Sequence, residues 1–236
     1  MVKVNSALIL YFIAFIFYII AVLIGSDNLE LFSKPIIIPS IYYYYYISVR
    51  GKIDYLFSFS VLSFFIGEIL HLISREEFNI SGLIFLLIPY FIILYFIIQD
   101  LLYYLKKQKI KLNTFSFYII VMLLGYLFFS VLMMMIEENS LEFFIYFLYG
   151  ILLVLMGVLA FVMLINYNNR TILYTGFMVG CFILSDLFFV FLKKLPDLIA
   201  LKMINVTTQE LSFFCYISYF IFRTKFKLYG KRDVQN

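Results

Sequence analysis

Two carboxylates stand out by their position. Glu68 and Asp186 each lie inside an almost unbroken apolar segment long enough to cross a bilayer. An acid at the centre of a membrane helix costs about 2.5–3.5 kcal/mol on insertion scales, so it is normally retained for a task. The chemistry open to such a pair is proton transfer, in an enzyme or in a proton-coupled carrier; the structural alternative is hydrogen bonding across helices. His71, the single histidine, follows Glu68 by three residues and shares roughly one helix face with it. The two acids also sit in similar surroundings. Phe65 to Leu70 and Ile183 to Phe188 both read apolar, apolar, small, acid, apolar, apolar, with Gly67 and Ser185 as the small residues. Small residues permit close approach of neighbouring helices.

The elements that must position these side chains follow from composition. Hydrophobic residues make up 65% of the 236 and charged residues 14%, and the mean hydropathy is +1.03. Such a chain is an all-α integral membrane protein. Apolar stretches, set against the roughly 20 residues needed to span hydrocarbon, predict eight transmembrane helices over 6–24, 33–49, 55–73, 79–99, 114–136, 142–165, 171–192 and 203–222. Residues 1–230 form one membrane domain, and 231–236 read as a polar tail. The first segment has no small-residue cleavage site after Ile24 and reads as a retained helix. The acids fall on helices four apart, so a parallel four-plus-four repeat is an option.

Charge sets the orientation. The N-terminus, the even-numbered connectors and the C-terminal tail hold 13 of the 18 Lys and Arg residues, which places both termini on the cytoplasmic side of a bacterial inner membrane. The net charge of +4 reports topology and lipid contact and gives no reason to propose nucleic acid. There is no Trp, so Tyr42 to Tyr46 are expected to supply part of the interfacial belt. In this orientation Glu68 and Asp186 lie at similar depth, about 7–10 Å below the outer surface at 1.5 Å per residue. Thr207, Thr208, Gln209 and Glu210 enter the same layer from the eighth helix. Cys181 and Cys215 fall inside predicted spans and read as apolar filler. Asp100 is expected to mark the cytoplasmic end of the fourth helix, and Lys34-Pro35 to open the second.

Several residues occur in a suggestive order: Lys34-Pro35, Gly67-Glu68, Tyr149 with Met156 seven residues later, and Phe182 four residues before Asp186 in the Ser185-Asp186 pair. Together they resemble the YhhN-like membrane proteins, the family that includes the lysoplasmalogenases. The family's helix-four His has no counterpart near Pro89, and its helix-eight Gln aligns with Tyr219. The resemblance implies hydrolysis of the vinyl ether bond of a membrane lipid, a lysoplasmalogen, without metal or other cofactor. Protonation of the β-carbon would give an oxocarbenium ion, which water attacks to form a hemiacetal that collapses to aldehyde. One carboxyl must then be protonated and one ionised; the sequence does not assign the two roles, and the expectation adopted is Glu68 as proton donor and Asp186 as the base that orients water. Lys34 would hold the substrate phosphate at the outer mouth, with His71, Tyr149, Ser185, Gln209 and Glu210 as further binding residues. A proton-coupled small-molecule transporter and a non-catalytic, lipid-binding member of the family are the alternatives.

Overall fold

Short polar punctuation divides the apolar chain into helices. Asn5, Asn139 and Asn169 stand immediately before three of them, and each side-chain oxygen accepts a backbone N–H of the first turn. Gly25 ends the first helix in the left-handed region at φ 69°, with its N–H bonded back to the Ala21 carbonyl. The computed structural model describes residues 5–73, 78–107, 114–136, 139–195 and 198–229. Among these are eight helices and no strand: α1 Ser6–Ile24, α2 Asp27–Ser48, α3 Tyr55–Ile73, α4 Asn79–Lys107, α5 Thr114–Met134, α6 Ser140–Asn166, α7 Arg170–Lys194 and α8 Ile199–Tyr229. The predicted polar tail, 231–236, lies outside the described residues, as do Lys3 and the loop charges Arg75, Glu76 and Glu77.

Six helices, α1 and α3 to α7, are long and apolar enough to cross a membrane. The remaining two, α2 and α8, carry much of the polar complement: Asp27, Glu30 and Lys34 on one, Lys202, Gln209, Glu210 and Arg223 on the other.

Three helices depart most from the sequence expectation: α8 runs Ile199–Tyr229 against 203–222, and α2 and α4 differ for identifiable physical reasons. α2 starts at Asp27, not 33, because Asp27 and Glu30 in its first turn complement the helix dipole. Pro35 and Pro39 are consequently inside the helix, where each removes a backbone donor. α4 runs through Pro89 and on to Lys107, because Asp100 is answered by protein and not by water. Arg223 Nε donates to Asp100 Oδ1 at 2.8 Å, Arg223 Nη2 donates to Gln99 Oε1 at 2.9 Å, and the Tyr219 hydroxyl donates to Asp100 Oδ2. The guanidinium lies 4.6 Å from the Phe96 ring centre. This buried cluster ties α4 to α8.

Neighbour relations come in pairs. α1 packs on α2 as α5 does on α6, α2 on α3 as α6 on α7, α3 on α4 as α7 on α8, and α2 on α8 as α6 on α4. At the centre Phe64 of α3 stacks on Phe182 of α7, ring centres 5.6 Å apart, with Tyr90, Phe213 and Tyr216 around them. Phe57 and Phe220 stack one layer further along. Helices in lipid associate through such packing, since the surroundings are equally apolar. The tyrosine run divides by face: Tyr43 and Tyr46 point outward as an interfacial belt requires, while Tyr45 is fully buried and its hydroxyl accepts the Asp54 N–H.

Gly67 lets α3 approach α4. A methyl group there would run into the Leu86 side chain and crowd the Gly82 carbonyl. Gly67→Ala is therefore expected to destabilise the protein by about 1–3 kcal/mol, read as a lower melting temperature in detergent; an unchanged midpoint would show that Leu86 yields freely.

Candidate functional site

At one end of the bundle, where α1, α3, α5 and α7 finish and α2, α4, α6 and α8 begin, the helices diverge around a cavity of about 800 Å³. Lys34, Glu68, His71, Tyr149, Ser185, Asp186 and Gln209 all line it. Seven of the eight residues singled out in the sequence are thus gathered around one space. Glu210 is not among the lining: its side chain is buried, its Oε2 has no hydrogen-bond partner among the described residues, and its backbone carbonyl accepts the Tyr11 hydroxyl at 2.6 Å.

The two acids have different environments. Glu68 is buried, and Lys34 Nζ lies 2.7 Å from its Oε2 while Gln209 Nε2 donates to its Oε1. Both carboxylate oxygens are occupied by donors, one of them charged, an arrangement built for an anion. Asp186 accepts the Tyr90 hydroxyl at Oδ2, 2.8 Å, and among the described residues no cation pairs with it. Asp186 itself lines the cavity.

Lys34 is placed differently from the expected outer mouth. Because α2 begins early, residue 34 is two turns inside the helix, and its ammonium is committed to Glu68 and sits 5.5 Å from the Tyr18 ring centre. The charges at the rim are Asp27, Glu30, Lys193 and Lys202; Lys193 is ion-paired with Glu142, while Asp27 and Lys202 are exposed. Tyr149 donates its hydroxyl to the Leu83 carbonyl at 3.0 Å, joining α6 to α4. His71 Nδ1 is 3.0 Å from the Gly67 carbonyl one turn back, and its ring meets Phe189 edge-on. Ser185 presents its carbonyl to Asn205 Nδ2 at 2.7 Å.

Tyr90 and Asn205 escaped the sequence reading. A signal for Tyr90 exists. Glu68 and Asp186 are 118 positions apart, and the same step back from Gln209 arrives one residue from Tyr90. The donors are crossed: α8 serves the acid on α3, and α4 serves the acid on α7. Phe64 and Phe182, which stack, and His71 and Phe189, which touch, are also 118 apart.

Among the described residues no three His, Cys, Asp or Glu side chains gather as a metal site. No family model, curated protein or solved structure matches this chain.

Proposed function

We propose that the chain is a membrane hydrolase that cleaves the vinyl ether bond of a single-chain phospholipid, a lysoplasmalogen, with Asp186 as proton donor and Glu68 as base. The observation that carries this reading is the unequal pairing of two acids on one cavity. The roles are the reverse of the sequence expectation, because Lys34 and Gln209 favour the anion at Glu68 and a neutral hydroxyl accompanies Asp186.

The steps balance. Asp186 gives its proton to the β-carbon of the vinyl ether, and the adjacent carbon becomes an oxocarbenium ion. Water attacks that carbon as Glu68 takes a proton from it, giving the hemiacetal. Glu68 then protonates the leaving glyceryl oxygen while Asp186 recovers the hemiacetal hydroxyl proton. Aldehyde and glycerophospho-alcohol depart, and both acids are restored. Lys34 supports this by stabilising Glu68 as a carboxylate between turnovers.

A cavity of about 800 Å³ has room for a lipid chain and its head group. The rim is charged and the walls are largely Leu, Val, Ile and Phe, matching an amphipath. The resemblance to the YhhN-like family points the same way at Lys34-Pro35, Gly67-Glu68 and Ser185-Asp186; where the chain departs from that pattern, at the helix-four His and at Tyr219, Tyr90 and Gln209 are the donors to the two acids.

In this reading all eight helices span, α2 and α8 being shielded by the other six, and the chain is a parallel four-plus-four repeat about an axis near the Phe64–Phe182 stack. The paired neighbour relations and the recurring 118-residue step support it. Both termini lie on the cytoplasmic side of a bacterial cell membrane, so the cavity opens outward. The layered aromatic rings below the acids, closed further along by Arg223 and Asp100, favour a blind pocket over the through-path of a carrier.

The test is aldehyde release by the purified protein from a lysoplasmalogen, beside a two-chain plasmalogen and a 1-acyl lysophospholipid. Release from the first alone is the expected result. A well-folded protein that binds lysoplasmalogen and releases no aldehyde overturns the hydrolase reading and leaves a lipid-binding protein.

A further inference from the structure

Toward α4 and α5 the cavity is lined by apolar side chains, Leu83 and Leu86 of α4 and Leu124, Leu127, Phe128 and Val131 of α5. No polar side chain interrupts the α5 wall. α5 itself is held from one side. It packs along α6, where Phe128 and Leu124 lie over Gly150 and Gly157, and it touches α7. Close helix packing does not join it to α4 among the described residues. Most of its remaining surface, including Met122, Tyr126 and Phe129, faces outward.

α1 occupies the corresponding place beside α2 and behaves differently. It packs on α8 as well, and the Tyr11 hydroxyl fastens it to the Glu210 carbonyl at 2.6 Å. One flank of the bundle is sealed by this contact, and the equivalent flank between α4 and α5 is not. The pairing of neighbour relations fails around these two helices: among the described residues α1 packs on α8 where α5 does not pack on α4, and α5 touches α7 where α1 does not pack on α3.

We infer that the gap between α4 and α5 is a lateral portal through which the hydrocarbon chain of a single-chain lipid passes from the bilayer into the cavity, where it lies against the apolar side chains of these two helices. The chemistry of the two openings supports this division. At the rim, Asp27, Glu30 and Lys202 are suited to a charged head group and would strip no water from it. A long hydrocarbon chain taken through that rim would be exposed to water over its length, whereas the α4–α5 route keeps it in hydrocarbon throughout. The occupant is a lipid chain because this face of the helix pair meets only lipid. The inference rests on the proposed reading in one respect, that the ligand is a single-chain lipid; it does not require that the lipid be cleaved.

The test uses the full chain in lipid nanodiscs and a radiolabelled 1-O-alkyl lysophospholipid, which has no vinyl ether, with association followed by scintillation proximity. Leu127→Trp and Leu86→Trp narrow the portal from its two sides, and Met122→Trp adds the same bulk to the outward face of α5. The first two are expected to slow association at least tenfold, the third to leave it unchanged. Should a Trp variant fail to fold, Leu127→Cys modified after reconstitution with a bulky maleimide gives the same comparison, with identically treated parent protein accounting for Cys181 and Cys215. Association at the parent rate with the portal narrowed overturns the lateral route alone. No binding of the lipid by the parent overturns the lipid reading, and the portal with it.

Discussion

Asp186→Asn is expected to lower aldehyde release by a factor on the order of 1,000, within the range that a positioned general acid supplies. The amide keeps the shape of the side chain and can still accept the Tyr90 hydroxyl, so folding and lipid binding should be preserved while the proton that must reach the β-carbon is gone. Glu68→Gln gives a different pattern. It removes the base, and it also strips Lys34 of its counter-ion inside the bundle, so activity and melting temperature should fall together. Equal loss of stability in both variants would mean that the two acids share a structural role. The assignment of donor and base is reversed if Glu68→Gln instead keeps normal stability while Asp186→Asn unfolds the protein.

The second large effect belongs to the opposite end of the bundle. Arg223→Met is expected to cost about 3–5 kcal/mol, because Asp100 would be left buried with an uncompensated charge. On the usual scaling this is a drop on the order of 10 °C in melting temperature. Combining it with Asp100→Leu should recover most of the loss, since an apolar pair of similar volume can replace a buried ion pair at little cost. At a temperature where the single variant remains folded, lipid binding should be that of the parent, the cavity being at the other end of the helices. Lack of recovery in the double variant would indicate that Tyr219 and Gln99 depend on the guanidinium for their own placement.

Helix number and approximate extent were legible because length of apolar run is a strong constraint in lipid, and 55–73 coincides with α3 at both ends. The boundaries that moved did so where polar residues found protein partners. Nothing within α4 alone announces that Asp100 will meet an arginine 123 positions away, so a charge that would ordinarily end a span was read as its end. Lys34-Pro35 was misplaced for the complementary reason: proline at a helix start is the commoner local pattern, and the acids at 27 and 30 that extend α2 backward look like loop charges when read singly. The candidate site was legible in its acids, since carboxyls in hydrocarbon are conspicuous by cost. Tyr90 was not conspicuous, being one of 21 tyrosines in an aromatic-rich chain; only its hydrogen bond to Asp186 distinguishes it. Glu210 had every local mark of a site residue and is not in the cavity wall, helical phase turning it from Gln209 by about 100° at 3.6 residues per turn.

The crossed donors set a rule for how this sequence can change. Glu68 depends on an amide from the last helix, and Asp186 on a hydroxyl from the fourth, so neither half of the chain carries a self-sufficient acid. A substitution at residue 90 is felt in the second half, and one at 209 in the first. Drift in one half is thereby checked by the other, and the two acids are free to become unlike each other only as their distant partners change with them.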